Sequence, residues 1–223
     1  MNIWLILILV MVGSFIIQRV LQSKFDKYSQ VRSPGGLTGA EVARKMLEDN
    51  GIYDVRISCI EGQLTDHYNP ETKTVNLSRD VYSQRSVAAA AVAAHECGHV
   101  IQHAKGYGPL KLRTALVPVV TFSNRIVQWV LILGIAIISL TPALLWLGIA
   151  MFAASTLFSV VTLPVETNAS QRAVAWLQSS RMVDSQTAPM AADALQWAAY
   201  TYVIAAIGSL ATLFYYSGMA RRD

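Results

Sequence analysis

Four long apolar runs constrain this chain more than any other feature. Ile3 to Ile17 is interrupted only by Gly13 and Ser14, Ile126 to Leu140 and Ala143 to Leu163 are separated by Thr141-Pro142, and Trp197 to Tyr216 carries only a few small or hydroxyl residues. Each approaches the length a helix needs to cross a bilayer core, about 20 residues. The composition agrees: of 223 residues, 53% are hydrophobic and only 14% charged, against about a quarter charged in soluble domains. Thr141-Pro142 reads as an N-cap followed by proline at the first helical position, which predicts a tight antiparallel hairpin of the two middle runs. No basic residue precedes the first run and no small-residue cleavage site follows it, so it is expected to be an anchor rather than a cleaved signal.

Basic residues then suggest an orientation. Arg19, Lys24, Lys27 and Arg32 follow the first run, and Lys105, Lys111 and Arg113 precede the second. The positive-inside rule places the segment between them in the cytoplasm, with Arg221 and Arg222 at the far end as the smaller, opposing signal. A net charge of +4 and a pI near 9.1 do not indicate nucleic acid here, because the cations are interspersed with acids and flank the apolar runs, where lipid headgroups account for them. Arg125 is accounted for by snorkelling from the second helix. Cys59 and Cys97 lack the paired spacing of a redox motif and are expected to be reduced thiols.

The hydrophilic stretch from Arg19 to Arg113 is large enough for one small domain. Ser33-Pro34-Gly35-Gly36 reads as a turn, and Thr38-Gly39-Ala40-Glu41 as a capping box opening a helix that Asn50-Gly51 ends near Asp49. Strands are expected over Val55 to Ile60, Gln63 to Tyr68 and Lys73 to Ser78, with Asn69-Pro70-Glu71-Thr72 as a turn, giving a short antiparallel sheet. The expected organisation is an anchor over 1–18, a domain over 19–115, a transmembrane hairpin over 116–165, a helical segment over 166–195 and a last transmembrane helix over 196–223.

Within that domain lies the pentapeptide His95-Glu96-Cys97-Gly98-His99, after a run of six alanines and two valines that Ser83 or Ser86 can cap and Gly106 can end. Positions i and i+4 lie one above the other on a helix, so the two imidazoles can face one metal ion with Glu96 beside it. This is the zincin arrangement, and it points to hydrolysis. A catalytic zinc takes three protein ligands and keeps one position for water; cobalt or manganese would suit the same donors. Of the other histidines, His103 continues the helical row and cannot converge on the same centre, so it is expected to face the interior or pair with a carboxylate. Glu166 is the sole acid between Glu96 and Asp184, at the end of the third apolar run, where a carboxylate is costly unless paired or metal-bound. The strand ahead of the helix, with Val75, Asn76 and Leu77, is the candidate edge for an extended substrate, and a purely structural strand is the equal alternative.

HExxH followed at a distance by a helical glutamate is similar to the gluzincin plan of the HtpX heat-shock protease and the CAAX-processing prenyl proteases. More specifically, four motifs together resemble the YugP-like neutral zinc metallopeptidases: Thr38-Gly39-Ala40-Glu41-Val42, Asp66-His67-Tyr68-Asn69-Pro70, Ala93-Ala94-His95-Glu96-Cys97-Gly98-His99 with Gln102-His103, and Leu163-Pro164-Val165-Glu166. The resemblance spans nearly everything from Gly36 onward. It implies a membrane-embedded peptidase with one Zn2+ held by His95, His99 and Glu166, Glu96 as the general base, protein or peptide substrates, and a bacterial cell membrane location with the site on the cytoplasmic side. That family tends to carry aspartate two residues after the third ligand, where this chain has Asn168, and soluble gluzincins carry it four residues after, where this chain has Ser170. Both residues are candidates for orienting a ligand histidine; Arg172, His103 and Tyr68 are candidates for stabilising an oxyanion.

The expected fold is a mostly α membrane protein, with about four transmembrane helices and a small α+β zincin-like domain. The expected function is zinc metalloendopeptidase. A zinc-binding scaffold without turnover is the alternative, motivated by Asn168 and opposed by the retained Glu96. A transporter is disfavoured, because the apolar helices contain few ionisable residues.

Overall fold

The computed structural model describes residues 3–221; Arg222 of the C-terminal charge pair lies outside the described residues. The chain is mostly helical and forms two compact units, one made of residues up to 16, 108–164 and 201 onward, the other of residues 17–107 and 165–200.

Among the described residues, four helices are long and apolar enough to cross a membrane: α1 (Ile3–Ser29), α5 (Gly108–Ala136), α6 (Ala143–Ser179) and α7 (Ala188–Ala220). Their outer faces carry exposed large apolar side chains, among them Leu9, Phe122, Trp129 and Phe214, a surface that water disfavours and hydrocarbon accepts. Their limits depart from the apolar runs. Helix α5 starts at Gly108 instead of Ile126 and stops at Ala136 instead of Leu140, and the first unit claims residues from 108 onward, ahead of the expected boundary at 116. Polar residues such as Lys111, Arg113 and Thr114 are good enough helix formers to extend a helix whose stability comes from elsewhere. Helix α6 is continuous through Pro164, and the division between the two units falls directly after that residue. The proline removes one backbone bond, to the carbonyl of Val160, and flanking turns carry the helix past it. The hairpin itself is as expected: the Ala143 N–H donates to Thr141 Oγ1 at 3.3 Å. At Gly134 any Cβ would lie 2.7 Å from the backbone of Leu145, so glycine is what lets α5 and α6 approach so closely.

The second unit contains α2 (Gly39–Asp49), β1 (Arg56–Ile60), β2 (His67–Asn69), β3 (Thr74–Ser78), α3 (Arg79–Ser83) and α4 (Val87–Ala104). The capping box forms as the sequence predicts, with the Glu41 N–H donating to Thr38 Oγ1 at 3.2 Å and the Thr38 N–H to Glu41 Oε2 at 2.7 Å. Ser86, not Ser83, caps α4, accepting from the Ala89 N–H at 3.1 Å. Ser83 instead ends α3, a short helix the sequence did not announce.

The sheet is mixed rather than wholly antiparallel. Strand order is β1-β3-β2, with β1 parallel to β3 from Arg56↔Thr74 to Ile60↔Ser78 and β2 antiparallel to it from His67↔Asn76 to Asn69↔Thr74. The turn before β3 is local and strong, since Asn69 Oδ1 accepts from the N–H groups of Glu71 and Thr72, and it folds β2 back onto β3. Between β1 and β2 the chain turns through positive φ at Gly62 and Leu64, and β1 pairs with the other side of β3.

Helix α4 is buried over almost its whole length. Its alanines share one core with Val42, Met46 and Leu47 of α2, Val75 and Leu77 of β3, and Ala173, Leu177 and Leu195. Small side chains allow helices to close in on α4 from several sides, which is how a short motif on it meets a residue far away in sequence. The second unit also ties the end of α1 to α7, with the Tyr28 O–H donating to Asp193 Oδ2 at 2.5 Å and Lys24 Nζ at 2.7 Å from the same oxygen.

Candidate metal centre

His95 and His99 occupy successive turns of α4, and their rings meet edge to face with centroids 4.8 Å apart. The C-terminal part of α6, which belongs to the second unit, brings Glu166 opposite them. Glu166 Oε2 lies 3.3 Å from His95 Nε2 and 3.5 Å from His99 Nε2, with the carboxylate side chain only 5% exposed. The three donor atoms lie within 4.8 Å of one another.

These distances provide a test of fit to zinc. Zinc–nitrogen and zinc–oxygen bonds of about 2.0–2.2 Å in a tetrahedral arrangement place neighbouring ligand atoms roughly 3.3–3.5 Å apart. Two edges of the triangle have that length already. Two imidazoles and one carboxylate are also the donor set of an open catalytic zinc site, with one position left for water.

Behind the donors, each ring's Nδ1 has a partner. His95 Nδ1 is 3.1 Å from Ser170 Oγ, and His99 Nδ1 is 3.1 Å from Gln102 Oε1. The Gln102 amide donates to the Val165 carbonyl at 2.7 Å and to Asn168 Oδ1 at 3.1 Å, and Arg172 Nε donates to the same Asn168 oxygen at 2.7 Å. Metal-binding histidines characteristically have their second nitrogen held in this way. Burial pulls the His99 pKa down, but the hydrogen bond to Glu166 and the charges of Glu96 and Glu166 outweigh it, so the net direction is up.

Glu96 is buried on α4 beside these groups, and its charge is felt by His99 and by Asp66. Asp66 itself accepts from the Ser78 N–H at 2.7 Å. Burial raises its carboxyl above the ordinary range, and Ser78 partly offsets this while Glu96 reinforces it.

Of the residues singled out from sequence, His95, Glu96, His99, Glu166 and Ser170 come together, while Asn168 and Arg172 reach the cluster only through Gln102. His103 is exposed rather than interior, because it lies past the buried part of α4; its Nδ1 is 3.2 Å from the Tyr68 hydroxyl, and it pairs with no carboxylate among the described residues. Val75, Asn76 and Leu77 belong to β3, the central strand, and not to the free edge the sequence suggested: β1 pairs along one side of all three, and β2 along the other side of Val75 and Asn76, its pairing stopping short of Leu77. Gln102 and Asp66 went unassigned. The signal for Gln102 was its spacing, three residues beyond His99 on the same helical face.

The position between the histidines also explains a glycine. A Cβ on Gly98 would lie 2.7 Å from the carbonyl oxygen of Ala169 and 3.0 Å from its Cα, so α4 and α6 cross here at backbone contact.

Comparison with known proteins adds two matches. The model of a family described as "Putative neutral zinc metallopeptidase" matches residues 3–221. "Putative membrane protease YugP" of Bacillus subtilis (strain 168) is 43% identical over 197 residues, covering 88% of this chain and 87% of the relative. No solved structure matches the chain.

Proposed function

The chain belongs to the family of neutral zinc metallopeptidases, and from that premise we propose that it is a membrane-bound endopeptidase whose zinc is held by His95, His99 and Glu166 with Glu96 as general base. The observation that carries this reading is the approach of the Glu166 carboxylate, more than sixty residues away in sequence, to both Nε2 atoms at 3.3 and 3.5 Å. Zinc, when bound, lowers the pKa of the water in its open position and polarises the scissile carbonyl.

The remaining work belongs to the protein. Glu96, one residue from His95 and buried, accepts the proton from the attacking water and returns it to the leaving amine. Ser170 and Gln102 hold the two imidazoles, and burial of the carboxylates keeps bulk water from screening them. The basic residues between the first two apolar helices support a site on the cytoplasmic side of the cell membrane. Substrates are then proteins or peptides reaching that surface.

The test is zinc content and casein hydrolysis by detergent-purified protein, wild type against Glu96→Gln. Zinc in both with hydrolysis in wild type alone is the expected result. Zinc in both with no hydrolysis of casein or a mixed peptide library by either would instead support a zinc-binding scaffold, and no zinc in the wild type would overturn the reading altogether.

A further inference from the structure

We propose that Gln102, pinned by Val165, Asn168 and Arg172, fixes the tautomer of His99 and thereby aims the Nε2 lone pair at the metal position. The proposal rests on the zinc-peptidase reading and concerns the residues behind that site.

A buried amide could in principle sit either way round, so its orientation must be argued from its neighbours. Here both ends of the hydrogen-bond chain leave no choice. The main-chain carbonyl of Val165 can only accept, and it lies 2.7 Å from Gln102 Nε2. Arg172 Nε–H can only donate, and its 2.7 Å bond requires an oxygen from Asn168. That same oxygen is 3.1 Å from Gln102 Nε2. Both hydrogens of the Gln102 amide are therefore committed, one to Val165 and one to Asn168.

Only Oε1 of Gln102 remains to face His99 Nδ1, at 3.1 Å. An oxygen that accepts there requires the imidazole proton on Nδ1, which leaves the lone pair on Nε2, the nitrogen 3.5 Å from Glu166 Oε2. Gln102 is wholly buried, so water cannot substitute for it. His95 is held differently, because the Ser170 hydroxyl opposite its Nδ1 can donate or accept. The relay thus acts on one histidine of the two. It also ties α4 to the residue preceding Glu166, so that a single neutral side chain orients two donors without adding a negative charge beside Glu96 and Glu166. Gln102, Asn168 and Arg172 are positioning residues in this scheme.

The experiment uses full-length protein in detergent, labelled with 15N-histidine, with tautomers read from two-bond nitrogen–proton correlations in the zinc-loaded state and in the metal-free state at alkaline pH. Zinc affinity is measured separately by chelator competition. Wild-type His99 is expected to carry its proton on Nδ1 in both states. Gln102→Met, which keeps the volume and removes the amide, is expected to give mixed His99 tautomers without metal and zinc binding weaker by roughly tenfold to a hundredfold. Asn168→Asp still offers an oxygen to both donors and is expected to keep the His99 signature and near wild-type zinc affinity, while Asn168→Leu loses both. A wild-type His99 protonated on Nε2, or bound to zinc through Nδ1, overturns the proposal whatever the variants do, and so does undiminished zinc affinity in Gln102→Met. If Gln102→Met fails to fold, the wild-type spectrum and the Asn168 pair decide. A folded wild type that binds no zinc refutes the zinc-peptidase reading instead, which distinguishes the two failures.

Discussion

Replacing Gly98 by alanine adds one methyl group, at a point where the structure has no room for it. The new Cβ would meet the Ala169 carbonyl oxygen at 2.7 Å, its Cα at 3.0 Å and its carbonyl carbon at 3.1 Å, where ordinary contact begins at 3.4 Å. All three atoms are helical backbone, so no side-chain rotation relieves the clash, and α4 and α6 must separate by about 0.7 Å. Overpacking of this kind costs about 1–3 kcal/mol, and the gain in helix propensity from glycine to alanine returns about 1 kcal/mol of it. The expected net loss of stability is therefore small, about 0–2 kcal/mol. The effect on the site is larger. Glu166 lies one turn before Ala169 on the same face, so the separation carries its carboxylate away from His95 and His99, and a misplacement approaching 1 Å can cost about a hundredfold in rate. Zinc affinity by chelator competition and casein turnover, alongside thermal unfolding, measure the two effects separately. Gly218→Ala is the control, since nothing lies within 4 Å of its added Cβ; it is expected to be neutral or slightly stabilising. A Gly98→Ala protein that folds, binds zinc and turns over like wild type would refute the claim that this crossing positions Glu166.

Acidification is expected to weaken zinc binding, the apparent affinity starting to fall as pH drops through the raised pKa of metal-free His99, because protons then compete for a ligand that must be neutral. Without metal the sign reverses: protonated His99 beside Glu166 and Glu96 stabilises the fold fully below pH 6.5, and that contribution is lost as pH rises through the raised value. Thermal melts of zinc-loaded and zinc-free protein across pH 5–9 should therefore slope in opposite directions, and parallel slopes would be inconsistent with this assignment. Burial, reinforced by the charge of Glu96, pushes the Cys97 thiol up, whereas Cys59 is exposed on β1. A thiol reagent is expected to modify one cysteine in the native protein and both after denaturation, as counted by mass spectrometry; modification of Cys97 in the native state would show that α4 is not packed as described. Thr38→Ala removes the cap of α2 and is expected to cost about 1 kcal/mol in denaturant melts with zinc content unchanged, and a loss of zinc would mean that α2 has a larger role in holding α4.

The sequence by itself determined what depends on neighbours along the chain. Four apolar runs specified four helices fit for a membrane, Thr38 and Glu41 specified a helix start, Asn69 a turn, and the spacing of His95 and His99 put two imidazoles on one helical face. It also singled out Glu166, because a lone acid at the end of an apolar run requires a partner. What the sequence could not decide was contact between segments far apart in the chain. The pairing of β1 parallel to β3 depends on which side of β3 remains after β2 has folded back, and no local pattern encodes that. The placing of Val75 and Asn76 between two strands, away from the edge of the sheet, follows from the same pairing. The continuity of α6 past Pro164 depends on packing that outweighs one lost backbone bond. Gln102 is the clearest case: its place in the sequence gives only a helical face, while its role comes from Val165, Asn168 and Arg172, which reach it because alanines and Gly98 on α4 allow α6 to approach to backbone contact. Propensity and periodicity act over one or two turns, but a site assembled from two helices exists only once the core between them has closed.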